Sequence, residues 1–165
     1  MKNAWLFVQN LHSKFVVAVS YLQSPFLLLF VRLYWGWEFA EDGWGKLHHL
    51  DKVTDYFTSL NLPMPGPTAL FVSVVELVGG VLLVLGLLSR LTGLVLTVNM
   101  LVAFLSVPDD RKALLSVFSD PDKFSAATPY GFLFASLLIL IFGPGKISLD
   151  TLLKRRLGTG GPEPV

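Results

Sequence analysis

Glu76 sits inside Thr68 to Leu88, TALFVSVVELVGGVLLVLGLL, an apolar run of membrane-spanning length that holds no other charge. An ionised side chain at the centre of a bilayer costs about 2.5 to 3.5 kcal/mol even on the gentle insertion scale, so this carboxylate is partnered or functional by default. The candidate partner is Arg32, which lies in a separate apolar run. Counted from the outer end of each run, Arg32 lies eight residues before Ala40, Glu76 eight after Thr68, Asn99 eight before Val107 and Ser136 seven after Pro129. At 1.5 Å per residue all four lie about 12 Å deep. The spacing predicts a buried polar layer of Arg32, Glu76, Asn99 and Ser136 with an Arg32–Glu76 ion pair at its centre. Such a pair fixes the register of a helix bundle. The same layer is also a candidate head-group site for a small polar or quinone-like ligand, and a candidate proton path.

Other chemistry is narrower. His48, Asp51 and Asp55 share a helical face that suits a metal, but Lys46 and Lys52 beside them favour a solvated loop face, and no metal site is expected. The absence of cysteine excludes disulfides, iron–sulfur clusters, thiolate zinc sites and thiol nucleophiles. None of the three histidines falls in an expected span, which excludes intramembrane bis-histidine haem ligation. No Ser/His/Asp spacing, phosphate loop or carboxylate dyad is present, so no catalytic residue is expected and the chain does not read as a stand-alone enzyme.

The elements that must position these residues follow from composition and punctuation. With 165 residues, 53% hydrophobic and 15% charged, and a mean hydropathy of +0.61, the chain is too apolar for a soluble domain of this length. A net charge of +1 gives no reason to expect nucleic acid. The expected fold is an all-α membrane protein, an antiparallel four-transmembrane-helix bundle over residues 25–145 with spans at about 25–40, 68–88, 91–107 and 129–142. Ser24-Pro25 and Thr128-Pro129 read as caps followed by proline at the first helical position, and Gly143-Pro144-Gly145 ends the last span. Sixteen residues rise only about 24 Å, so the first helix extends past Ala40 or borrows the turn before Pro25. Residues 1–24 read as a retained amphipathic helix at the membrane surface, with Leu6, Phe7, Leu11, Phe15, Val19 and Leu22 at helical spacing. Residues 146–165 read as a short amphipathic helix capped by Ser148, with Leu149, Leu152, Leu153 and Leu157 on one face, followed by a disordered Gly/Pro tail. Shorter helices are expected at Asp51 to Leu60 and around Lys112 to Phe118.

Facing and orientation can be read as well. Gly79, Gly80 and Gly86 fall within about 80° of Glu76 on a helical wheel, so the side carrying the carboxylate lets a neighbouring helix approach closely. Trp35, Trp37 and Trp44, with Tyr34 and Phe39, crowd one end of the first span, where they supply either an aromatic interface belt or a ligand wall. The side holding both termini carries Lys2, Lys14, Arg90, Lys146, Lys154, Arg155 and Arg156, and the other carries Lys46, Lys52, Arg111, Lys112 and Lys123. That bias places both termini in the cytoplasm of a cell with an inner membrane.

Three segments, RLYWGWEFAEDGWGKL (Arg32 to Leu47), VELVGGVLLVLGLLSR (Val75 to Arg90) and FGPGKISLD (Phe142 to Asp150), resemble the DoxX family of small four-helix bacterial and archaeal membrane proteins. The resemblance covers about residues 26 to 153 and rests on R-x3-G…G-x2-K, E-x2-GG and GPG-x2-SLD pieces in order. It marks Arg32, Gly36, Gly43, Lys46, Glu76, Gly79, Gly80, Arg90, Ser148 and Asp150 as family-motif positions. The N-terminal helix is a departure or an extension. The family takes its name from a subunit associated with a terminal quinol oxidase, and relatives look like components of thiosulfate:quinone oxidoreductases or partners of oxidative-stress enzymes. The resemblance therefore implies a non-catalytic accessory or assembly subunit of a membrane redox or energy-converting complex. Its alternatives are a quinone-interacting oxidoreductase subunit and a small transporter or proton path. No intrinsic cofactor is implied, a quinone or lipid being the candidate occupant. The implied partners are the lipid bilayer and either a larger membrane complex or further copies of the chain.

Overall fold

The computed structural model describes residues 26–157, so the expected surface helix over 1–24 and the tail from Gly158 lie outside the described residues. Among the described residues the structure is helical throughout: α1 (residues 26–48), α2 (Leu50–Ser59), α3 (Pro65–Leu85), α4 (Ser89–Ser106), α5 (Pro108–Leu115), α6 (Pro121–Ala126), α7 (Pro129–Phe142) and α8 (Leu149–Arg156). Proline opens α3, α5, α6 and α7, where its missing N–H and fixed φ cost nothing. At α7 the proline acts alone, because Thr128 makes no side-chain cap bond, contrary to the expected cap. The breaker run before the second span contributes its last two prolines to the first turn of α3, which starts three residues earlier than expected.

α1, α3, α4 and α7 pack side by side, with α4 between α3 and α7 and α1 touching both α3 and α7. Their inward stripes repeat at alternating steps of four and three. In α1 the stripe is Arg32, Gly36, Phe39 and Gly43, and in α3 it is Ala69, Ser73, Glu76, Gly80 and Leu83. Such a period keeps one seam facing a neighbour along the whole helix. Glycine sets the α1–α3 spacing: a Cβ on Gly43 would strike the backbone of Leu77, and one on Gly80 the backbone of Ala40. Phe39, Leu83, Leu96, Met100, Phe104, Leu133 and Ile139 fill the space between helices.

The polarity of these helices is inverted relative to a soluble bundle. α3 buries Ala69, Ser73, Glu76, Gly79 and Gly80 but exposes Leu70, Phe71, Val74, Val78, Val81 and Leu85. α4 buries Ser89, Thr92, Gly93 and Thr97 with three larger apolar residues, and exposes Leu91, Leu94, Val95, Val98 and Val102. An apolar outer face of this extent is unsustainable in water and is what lipid requires, while small and polar residues serve the helix contacts. α3 and α4 are each long and apolar enough to cross a membrane, and α7 is a shorter apolar helix.

Candidate functional site

The predicted polar layer divides into two centres at opposite ends of α1, with a hydroxyl pair beside one of them. Arg32 and Glu76 are both buried, 1% and 2% exposed, but they do not pair. The reason is the length of α1. Its outer end is at His48 rather than Ala40, eight residues further on, and this slides Arg32 about 12 Å along the bundle relative to α3.

At one end, Glu76 meets Lys46. The Lys46 Nζ donates to Glu76 Oε2 at 2.5 Å and lies 3.1 Å from Asp42 Oδ2 one turn earlier in α1. Asn99 Nδ2 donates to the other Glu76 oxygen at 3.1 Å. The Glu76–Asn99 part of the predicted layer is therefore present, because the tight turn joining α3 and α4 keeps their levels matched. Lys46 is the residue the layer lacked. The signal that reveals it is the four-three stripe of Arg32, Gly36, Phe39 and Gly43, which runs straight past Ala40 and reaches Lys46 as its next member. Ser136 is nearby but differently engaged: it donates to the Leu133 carbonyl at 2.9 Å and accepts from Thr97 Oγ1 at 3.0 Å.

Lys46 also borders an open cavity of about 540 Å³, along with Glu38, Asp42, His49 and Phe132. The tryptophans separate here. Trp37 and Trp44 are 65% and 57% exposed, as a belt requires; Trp37 Nε1 donates to Glu41 at 3.0 Å, and Trp44 packs on His48. Trp35 instead turns inward against Phe132, over Gly131.

At the other end, the Arg32 guanidinium takes the place of water for four carbonyls. Its Nε donates to Leu83 O at 3.0 Å and Nη2 to Val84 O at 3.2 Å, both in the last turn of α3, where the regular helical N–H donors run out. Nη1 donates to Pro144 O at 2.6 Å and to Ile147 O at 2.8 Å, which ties the chain after α7 to α1 and α3. A cation at a helix C-terminus also meets the negative end of the helix dipole.

Below Arg32 the α3–α4 turn is closed by Gly86 and Asp150. Gly86 has φ +67°, and its N–H and that of Leu87 bond back to Leu83 and Leu82, the two-bond helix stop that favours glycine. A Cβ there would also run into Arg32 and Ser148. Both Asp150 oxygens accept backbone N–H groups at 2.8 Å, from Leu88 and Ser89 at the start of α4. The Asp150 N–H in turn donates to Gly86 O at 2.9 Å. Ser148 caps α8 as expected, accepting from the Thr151 N–H at 3.1 Å. Arg90 lies against Gly143. The motif positions thus fall into two working sets: Arg32, Arg90, Ser148 and Asp150 at this end, where Gly86 joins them, and Lys46 and Glu76 at the other, where Asn99 joins them, with Gly36, Gly43, Gly79 and Gly80 spacing the helices between.

The family model described as DoxX matches residues 27–109, which take in α1, α3, α4 and Lys46, Glu76 and Asn99. The GPG-x2-SLD segment lies beyond that match. The chain is also similar to an uncharacterized protein of Haemophilus influenzae, at 30% identity over 132 residues that cover 78% of this chain and 83% of the relative. No solved structure matches. With half of its length under one family model and its family-type motif residues gathered into two packed centres, the chain belongs to the DoxX family.

Proposed function

We propose that this chain is a four-span protein of a prokaryotic inner membrane, crossing with α1, α3, α4 and α7, and that it acts as a non-catalytic accessory or assembly subunit of a redox or energy-converting complex. The observation that carries the reading is the inversion of polarity: branched and aromatic side chains on the outer faces of α3 and α4, with Ser73, Glu76 and Thr97 inside. Two further points support the accessory role. The buried ionisable groups spend their hydrogen bonds on one another and on backbone, which holds helices together instead of presenting a reactant-facing group. The sequence also has no cysteine to ligate an iron–sulfur centre.

The test is a gentle-detergent pull-down of the chain from its native membrane. The expected result is copurification with larger cofactor-bearing subunits, and loss of that assembly in Glu76→Gln. Recovery of the folded chain alone, under conditions that keep other membrane complexes whole, contradicts the reading.

A quinone-interacting subunit is the second reading, favoured by one observation: the cavity beside Lys46 combines an ammonium group with the Phe132 ring. Quinone retained by purified protein and lost in Lys46→Gln, with helix content unchanged, would replace the first reading.

A further inference from the structure

The Arg32 end holds a groove of about 530 Å³ between α1, the last turn of α3 and α8. Its walls are apolar, from Leu29, Leu85, Ile147 and Leu152, and two cations, Lys146 and Arg155, border it. Arg32 lies beneath it, with its guanidinium bonded to four carbonyls, so it adds charge and offers little to a ligand directly.

Charge decides what fits there. Among the described residues this end carries Arg32, Arg90, Lys146, Lys154, Arg155 and Arg156 against one carboxylate, Asp150. Both oxygens of that carboxylate are occupied by the Leu88 and Ser89 N–H groups, and no ion pair among the described residues involves Arg155. Leu149, Leu152 and Leu153 of α8 are half-exposed, on a short helix whose last turn is basic. A groove with hydrocarbon walls and a cationic mouth, at the end of an apolar outer surface, is complementary to a molecule built the same way.

We propose that this groove binds one anionic diacyl phospholipid, with its phosphate at Lys146 and Arg155 and an acyl chain along Leu29, Leu85 and Leu152. The proposal rests on the membrane-embedded reading above, so the experiment first verifies insertion. Full-length protein is reconstituted into vesicles of phosphatidylcholine with a minor fraction of phosphatidylglycerol, tested for resistance to carbonate extraction, then released in mild detergent for native mass spectrometry. Failure to insert defeats the membrane reading itself. With insertion established, retained phosphatidylglycerol should exceed its share of the vesicle by about tenfold, which is about 1.4 kcal/mol and within what two lysine or arginine contacts supply. The double variant Lys146→Gln, Arg155→Gln should insert with unchanged helix content and retain the two lipids in proportion to the vesicle. The charge-matched control Lys154→Gln, Arg156→Gln, outside the groove, should keep the preference; loss in both variants to the same degree means diffuse surface charge and overturns the site. A photo-crosslinking residue in place of Ile147 reads the occupant directly. A phospholipid adduct supports the proposal, whereas a crosslinked dimer, or a crosslink to residues 1–25 of the same chain, overturns it.

Discussion

Glu76, 2% exposed, is held by one amine and one amide, and the two donors are not equivalent: Asn99 comes from the neighbouring α4, whereas Lys46 reaches in along a stem that leaves its side chain 28% exposed. Removing one member of a fully buried pair costs about 3 to 5 kcal/mol and an exposed pair is worth under about 1 kcal/mol, so Glu76→Gln and Lys46→Gln should each cost on the order of 2 kcal/mol. A double-mutant cycle measured by chemical unfolding in micelles should return a coupling between Lys46 and Glu76 and none between Arg32 and Glu76, because those two share no partner. The reverse outcome would restore the pair counted from the run ends. Arg32→Lys tests the other centre. An ammonium cannot match a planar fork bonded to four carbonyls on two separate chain segments, so the variant should lose on the order of 3 kcal/mol, close to the loss in Arg32→Gln. Full rescue by lysine would show that charge alone matters at this position.

At the scale of elements, the α1–α3 contact and the small helices outside the bundle make opposite demands. Gly80→Val places two methyl groups against the backbone of Ala40 and Gly36. Overpacking in a rigid contact costs about 1 to 3 kcal/mol, and here the obstacle is backbone, so the upper end is expected. Moving α1 outward also pulls Lys46 from Glu76, and thermal unfolding should show both the loss and a weakened Lys46–Glu76 coupling. α6 behaves locally. Its cap, Asp120, accepts from the Lys123 N–H and pairs with the Lys123 ammonium at 2.9 Å. These contacts, the Lys123 hydrogen bonds first, hold the Asp120 carboxyl below its ordinary range. The stability it contributes is therefore complete above the unfolded carboxylate pKa and is lost as the pH falls through the lower folded value. The protection factor of the Lys123 amide, taken against its intrinsic exchange rate at each pH, should fall in acid while the α3 and α4 amides stay protected.

For the whole molecule, the absence of cysteine makes orientation directly measurable, because any thiol introduced is unique. If both termini lie in the cytoplasm, Thr58→Cys in the last turn of α2 and Ser125→Cys in α6 should react with a membrane-impermeant maleimide from the periplasmic side of intact cells, whereas Thr151→Cys should react only after permeabilisation. Labelling of Thr151→Cys alone in intact cells would invert the topology. Most of the helices were legible in the sequence. The 129–142 segment matches α7, the 68–88 and 91–107 segments match α3 and α4 to within a few residues, and Asp51 to Leu60 and Ser148 announced α2 and α8. Long apolar runs ended by proline and glycine are local signals, written where the helix is written. The first helix was not legible to its end, because Glu38, Glu41, Asp42 and Lys46 look like a loop until the four-three stripe beneath them is followed.

The Glu76–Asn99 contact needed only a count from one tight turn, since two helices joined by Gly86 to Leu88 cannot slide past each other. The amino-acid sequence by itself determined an all-helical, apolar, cysteine-free chain with a carboxylate that requires a partner, and family-type motifs that name most of the residues involved. Which cation answers that carboxylate was decided only by the tertiary structure. α1 and α3 are joined through α2 and the turns around it, so their relative height is set by glycine contacts along both helices, and eight residues of extra helix exchange Arg32 for Lys46. The role of Arg32 depends likewise on a segment more than a hundred residues away, whose carbonyls reach it only once α7 has returned the chain to the same end of the bundle.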